Sequence, residues 1–218
     1  IELGLVGSEM CIRDRLDAAG NATITTADVD NGSNENCSLT YSISASGFTC
    51  ANIGANSVTL TATDGDANSA SCESVVTAED NVNPTVVCQD ATVQLDAGGN
   101  ASITTADVNN GSSDNCGASL SINVSNFICT DLGANNVTLT ATDGEGNSNT
   151  CQSVVTVEDN ISPTAVCQDI TVQITSGGTA SMAAGDIDGG SADNCTVSLS
   201  VSSSSFDCND LGAYNCLL

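Results

Sequence analysis

Cysteine and aspartate are the residues in this chain whose types and spacing could do chemistry, and both recur at a fixed interval. Cys37, Cys116 and Cys195 are 79 residues apart, as are Cys50, Cys129 and Cys208; Cys72 and Cys151 keep the interval, and so do Cys88 and Cys167. Within a repeat no two cysteines lie closer than 13 residues, which removes CxxC-type metal and redox sites. Disulfides remain, the usage of an oxidising compartment. All ten of these cysteines are expected to be bridged, each bridge contributing on the order of 3 kcal/mol by limiting the unfolded chain. Four cysteines in one copy allow three pairings. Spacing favours Cys88–Cys116 with Cys129–Cys151, because each pair brackets about one hairpin; a bridge across a junction, such as Cys50 to Cys88, is the alternative.

The acids point to a second chemistry. Each copy carries an acidic loop ahead of an Asn-Cys pair: DVDNGSNENC from Asp28, DVNNGSSDNC from Asp107 and DIDGGSADNC from Asp186. The D-x-[D/N]-x-G spacing is that of oxygen-rich Ca2+ loops, where alternate side chains converge and Gly permits the bend. There is no bidentate Glu twelve positions on, so an EF-hand is excluded. Three loops would meet at one pole of a sandwich. They bring Asp107, Asn109 and Asp114, then Asp143 and Glu145, then Glu79, Asp80 and Asn81 of the preceding junction. Two readings stand: Ca2+ at the junction, or solvated acidic turns tolerated in salty surroundings.

The elements that must position these groups are read from the repeat. Residues 95–108 read LDAGGNASITTADV against LDAAGNATITTADV at 16–29, and the junctions read EDNVNPT at 79–85 and EDNISPT at 158–164. The expected organisation is a repeat truncated at its start (16–81), a complete one (82–160) and one truncated at its end (161–215). Within the complete copy, Val93 and Leu95, then Leu120, Ile122 and Val124, then Val137, Leu139 and Ala141 alternate with polar residues, and 153–157 closes as SVVTV. Period-2 runs rich in Val and Thr, parted by Gly- and Asn-rich turns, describe half-buried strands. No stretch sustains a 3.6-residue period. The fold class expected is all-β, tandem immunoglobulin-like β-sandwiches with disulfides. Each copy offers one Phe (Phe48, Phe127, Phe206) and no Trp, so its core is thin and needs staples.

Both ends look foreign to this pattern. LVGSEMCIRD at 5–14 resembles one reading frame of a sequencing-library adapter, and Cys216, Leu217 and Leu218 resemble the start of its complement. Residues 1–15 and 216–218 are therefore set aside as adapter-like and expected to lie outside the fold. The only two basic residues, Arg13 and Arg15, go with them, and there is no His. Without Glu2, Glu9 and Asp14, 24 of the 27 acids remain with no side-chain cation. Such a chain cannot neutralise phosphates, so nucleic acid and anionic membranes are excluded as direct partners. Without His, Ser-His-Asp and Cys-His sites cannot be built. No apolar run approaches the roughly 18 to 20 residues of a membrane span. The chain is read as no enzyme.

DNCG from Asp114, Phe-x-Cys-x-x-x-Gly at 127–133, VTLTATDGEGNSNTC from Val137 and the closing SVVTVEDNISP resemble the hyalin-repeat (HYR) family. The variant is similar to repeats in large secreted or surface proteins of Bacteroidetes. One departure is that Gly98, Gly99 and Asn100 lack the Cys many hyalin repeats carry near the first turn, and Cys129 stands instead. The resemblance implies an immunoglobulin-like fold, an extracellular or cell-surface location and a role in cell adhesion, with no catalytic residue to map. The function expected is a spacer or adhesive stalk, stiffened by Ca2+ at its junctions, facing a protein or glycan ligand at the cell surface. The alternative is accessory spacer or carbohydrate-binding modules of a secreted polysaccharide-degrading enzyme. One Phe per copy weighs against sugar binding, which favours exposed aromatic platforms.

Overall fold

A computed structural model describes residues 12–35 and 38–213. Cys37, residues 1–11 of the leading adapter-like segment and the trailing Cys216, Leu217 and Leu218 lie outside them.

The period-2 runs become strands. Strands β1 (Ile12–Arg15), β3 (Thr40–Ile43), β5 (Gly54–Thr63) and β6 (Ser69–Glu79) form a four-stranded sheet in the order β1-β6-β5-β3. Strands β2 (Asn21–Thr23) and β4 (Gly47–Thr49) pair as a separate antiparallel ribbon. Along β5, Val58, Leu60 and Ala62 are buried while the threonines between them are half-buried, as the two-residue alternation of side chains requires. Leu60 and Val76 from the sheet meet Ala22 and Phe48 from the ribbon in one apolar core, which is what makes the pair of sheets a sandwich.

The next copy repeats the plan. Strands β7 (Ala91–Gln94), β9 (Ala118–Ile122), β11 (Gly133–Asp143) and β12 (Ser148–Glu158) run in the order β7-β12-β11-β9, and β8 (Asn100–Ser102) pairs with β10 (Asn126–Ile128). Phe127, like Phe48, is 2% exposed, so the single Phe of each of these copies fills the core. In the last copy β13 (Thr179–Ser181) pairs with β14 (Ser205–Asp207), and Phe206 is only half-buried. Among the described residues no helix is long and apolar enough to cross a membrane.

The chain gathers into two compact units: 1–88 with 109–123 and 138–152, and 89–108 with 124–137 and 153–218. The first holds the core just described and the bridges Cys50–Cys116 and Cys88–Cys151. The second holds the bridge Cys129–Cys195.

Several expectations are corrected. The pairings Cys88–Cys116 and Cys129–Cys151 do not form. Cys50 bonds to Cys116 and Cys129 to Cys195, each pair 66 residues apart, and Cys88 bonds to Cys151. Bracketing one hairpin assumes that neighbours in sequence are neighbours in space; here the Cys after the Asn of one copy meets a Cys of the copy before it. Cα separations of 5.3, 5.9 and 5.5 Å suit such bridges. Cys72, Cys167 and Cys208, also expected to be bridged, are free. By the 79-residue register the partner of Cys72 falls on Glu9, and those of Cys167 and Cys208 fall past residue 218.

Ile12–Arg15, set aside as foreign, is the edge strand β1, paired in parallel with β6 in the way β7 pairs with β12. Ile12 packs against the core, and Arg13 reaches Glu79 at 3.2 Å. The helical turns α1 (Thr26–Val29) and α2 (Thr105–Val108) were not foreseen from periodicity, because one turn is too short to show one.

Candidate metal centre

One carboxylate oxygen from each of Asp80, Asp114 and Asp143 lies within 4.8 Å of the others. All three belong to the first compact unit. Asp80 follows the last residue of β6, Asp114 lies in the loop before β9, and Asp143 ends β11. Three chain segments far apart in sequence thus deliver one acid each.

Asp143 is locked by its own hairpin. Its Oδ1 accepts the backbone N–H groups of Glu145 (3.0 Å) and Asn147 (2.8 Å), and its Oδ2 accepts the Asn147 side-chain amide at 2.7 Å. Burial works to raise its pKa and is outweighed by hydrogen bonds from the Asn147 side chain and from the backbone of Asn147, Glu145 and Gly146, which hold the carboxyl below its ordinary value. Asn147 also donates to the Asp80 carbonyl at 2.9 Å, which fastens the hairpin to the junction.

Asp80 is 3% exposed. Its Oδ1 accepts Val82 N–H (3.0 Å) and the Asn115 side-chain amide (3.2 Å), whereas its Oδ2 is buried with no hydrogen-bond partner. Asp114 is similarly divided: Oδ2 accepts Cys116 N–H at 3.0 Å, and Oδ1 is buried and unpartnered. Asn115 donates its amide to Asp80 and to the Asp17 carbonyl (3.2 Å), leaving its own Oδ1 buried and unpartnered.

Orphaned buried acceptors are uncommon because each forfeits its hydration, and these belong to two carboxylates and an amide side by side. At an effective dielectric of about 20, two carboxylate charges 4 to 5 Å apart repel by roughly 3 to 4 kcal/mol. The only basic side chains are Arg13, which sits on Glu79, and Arg15. The donor set is all oxygen, carboxylate and amide carbonyl, which suits a hard divalent cation such as Ca2+. Ca2+ takes six to eight such ligands, so water or carbonyls would complete the shell. The residues present fit the ion.

The other residues singled out from the sequence have different occupations. Asp107 Oδ2 accepts both the N–H (2.6 Å) and the hydroxyl (2.8 Å) of Thr104, reaching back from inside α2 to the residue before it; these bonds from Thr104 hold its pKa below the ordinary value. Asp28 does the same for α1 through Thr25. Asn109 Oδ1 accepts Ser112 N–H at 3.0 Å, shaping its own turn. Glu145 and Asn81 are exposed, and Asn81 donates to Glu79 at 3.4 Å. So the D-x-[D/N] part of the motif builds caps and turns, while the later Asp114 joins the cluster. Asn115 and Asn147 were missed. The Asn before each register Cys was a signal for the first, since Asn36, Asn115 and Asn194 recur with the 79-residue period.

In the second unit, Asn194 donates to Asp159 Oδ1 (3.1 Å) and to the Asp96 carbonyl (3.2 Å), and the Oδ1 atoms of Asp193 and Asn194 are buried without partners.

No family model matches the chain, and no curated protein matches it. Among solved structures it is similar to human protocadherin-24 EC1-2 (form II), with 13% identity and a TM-score of 0.35 over 70% of this chain and 96% of that one. It is also similar to the protocadherin gammaB7 EC3-6 cis-dimer, with 17% identity and a TM-score of 0.36 over 78% of this chain and 54% of that one. The human desmocollin-1 ectodomain gives 11% identity and a TM-score of 0.31 over 72% and 40%. The chain spans about half or less of the last two.

Proposed function

We propose that this chain is part of a non-catalytic extracellular repeat array, a spacer or adhesive stalk, in which Ca2+ held by Asp80, Asp114, Asn115 and Asp143 stiffens the junction that Asp80 begins. The observation that carries it is Asp80: a carboxylate 3% exposed, with one oxygen unpartnered, beside two further acids. A buried charge of this kind needs a counter-charge, and the protein supplies none within hydrogen-bond reach. Asp107 caps its own helical turn with Thr104, and Asn109 shapes the turn ahead of Asp114. Glu79, ion-paired with Arg13, and Asn81, which donates to Glu79, flank Asp80 in sequence, and Glu145 follows Asp143 in its hairpin. The ion offsets most of the charge of the cluster and ties the linker, the loop before β9 and the β11–β12 hairpin to one point.

The disulfides support an extracellular or cell-surface setting. The DNCG, VTLTATDGEGNSNTC and SVVTVEDNISP strings support kinship with hyalin-repeat arrays of Bacteroidetes surface proteins, where the partner would be a protein or glycan. The test is thermal melting of the oxidised protein in excess Ca2+, in chelator, and in Mg2+ at matched ionic strength. A rise of several degrees specific to Ca2+ is expected. Coincident Ca2+ and chelator curves would sink the metal and leave a passive, disulfide-stapled spacer.

A further inference from the structure

We propose that the Cys50–Cys116 disulfide is the positioning element of this cation site, so that Ca2+ affinity and the thiol–disulfide state of that pair are coupled. The inference rests on the Ca2+ reading above and goes beyond it by naming what regulates the site.

The ligand-bearing segments differ in how they are held. Asp80 continues directly from the long strand β6, and Asp143 is fixed by three hydrogen bonds to its carboxylate from its own hairpin. Asp114 and Asn115 lie in a loop outside any strand, whose upstream part, up to Ser113, is tied to the 85–88 segment by the bridges of Ser113 to Thr85 and Asn109 to Cys88 and by Ser112 on Val87. Their other anchor is Cys116, the next residue, bonded to Cys50. The bridge is seated closely. Cys50 Sγ lies 3.4 Å from the Asn115 carbonyl oxygen, and both rest on Gly20, where a Cβ would stand 2.7 Å from that sulfur and 3.1 Å from that oxygen. Gly20 has φ +75°, a conformation open to glycine. From this seat Cys116 N–H reaches Asp114 Oδ2, and the Asn115 amide reaches Asp80 and Asp17.

Two of the three orphaned oxygens, those of Asp114 and Asn115, are therefore aligned with Asp80 by the sulfur bridge. Reduction by a dithiol breaks the S–S bond, leaves one thiol each on Cys50 and Cys116, and converts the dithiol to its own disulfide, two electrons and two protons passing to the protein. The loop is then free to move away from Asp80. By linkage, whatever factor the bridge adds to Ca2+ affinity, Ca2+ adds to the stability of the bridge.

The experiment is calorimetric titration of the full oxidised chain with Ca2+, reading the binding component that Asp80→Asn removes. It is repeated on the double variant Cys50→Ala with Cys116→Ala. Cys129→Ala with Cys195→Ala, which opens a bridge of the same 66-residue separation in the other unit, is the control. The first double variant is expected to weaken that component at least tenfold and the control to leave it within twofold. Affinities within twofold in both overturn the coupling and spare the Ca2+ reading; no Asp80-dependent binding in the oxidised parent overturns both.

Should the variant not fold, the native chain answers. It is equilibrated in mixtures of reduced and oxidised dithiothreitol with and without Ca2+, alkylated, and the Cys50 and Cys116 peptides are weighed. Ca2+ is expected to raise the ratio needed for half-reduction at least tenfold, and Asp80→Asn to abolish the shift. No shift in the native chain overturns the coupling.

Discussion

The junctions at Asp80 and Asp159 repeat one construction with one difference. Asn115 bonds Asp80 and the Asp17 carbonyl, and Asn194 bonds Asp159 and the Asp96 carbonyl, at 3.1 to 3.2 Å in every case. Each Asn precedes a Cys bridged to the copy before, and each junction leaves unpartnered oxygens on the Asp-Asn pair. At the first junction Asp143 adds a third acid and Asn147 covers the Asp80 carbonyl, leaving Asp80 3% exposed. At the second, Asp159 is half-buried, and the counterparts of Asp143 and Asn147 fall by the 79-residue register on positions 222 and 226, past the 218 residues of this sequence. The Asn-Cys segment thus suffices to aim oxygens at the junction, whereas enclosing the charge takes the hairpin.

The largest expected effect tests what the two share. Opening Cys50–Cys116 or Cys129–Cys195 by double Ala substitution should each lower stability by about 4 kcal/mol, the loop entropy of a 66-residue closure. Chelated protein unfolded in urea gives the comparison. A much smaller loss at one bridge would mean that its loop is held by other contacts.

The next effect separates the junctions. Ca2+ at a hundredfold excess over its dissociation constant should add about 2.7 kcal/mol. Asp80→Asn should remove most of that gain while raising the melting temperature in chelator, because it relieves the carboxylate repulsion. Asp159→Asn should leave most of the gain in place. Equal sensitivity of the Ca2+ response to both substitutions would break the distinction drawn between enclosed and open junctions.

A smaller effect tests the division of labour inside the acidic loop. Asp107→Ala removes the carboxylate that reaches back from α2 to Thr104 and should cost about 1 kcal/mol in urea unfolding without altering the Ca2+-dependent shift in melting. A lost Ca2+ response would return Asp107 to the ligand set.

The smallest follows from Asp143. Its folded pKa lies below the ordinary 3.8, so its contribution to stability is present above that value and lost as pH falls through the folded pKa. In chelator, melting temperature should decline below about pH 4, and Asp143→Asn should flatten that decline. An unchanged acid limb in the variant would remove Asp143 from the account.

Much of this protein was legible in the chain because its physics is local or repeated. Alternation at Val58, Leu60 and Ala62 or at Val137, Leu139 and Ala141 fixes which face of a strand is buried, and a side chain's face depends only on its parity. The 79-residue period announced tandem sandwiches, and the lone Phe of the first two copies marked their cores. That acids from the linker, the loop before β9 and the last hairpin converge was also readable, since sandwich topology gathers those loops at one pole.

Tertiary structure alone decided the rest. Which cysteines pair depends on distances between loops of adjacent copies, to which spacing along the chain is blind, and so the hairpin-bracketing bridges gave way to Cys50–Cys116, Cys88–Cys151 and Cys129–Cys195. Asp107 and Asp114 look alike in sequence, yet one satisfies the open end of a helical turn and the other is left with an oxygen unpartnered. Composition supplies a carboxylate; only the three-dimensional placement of donors determines whether a neighbouring N–H satisfies it or a cation must.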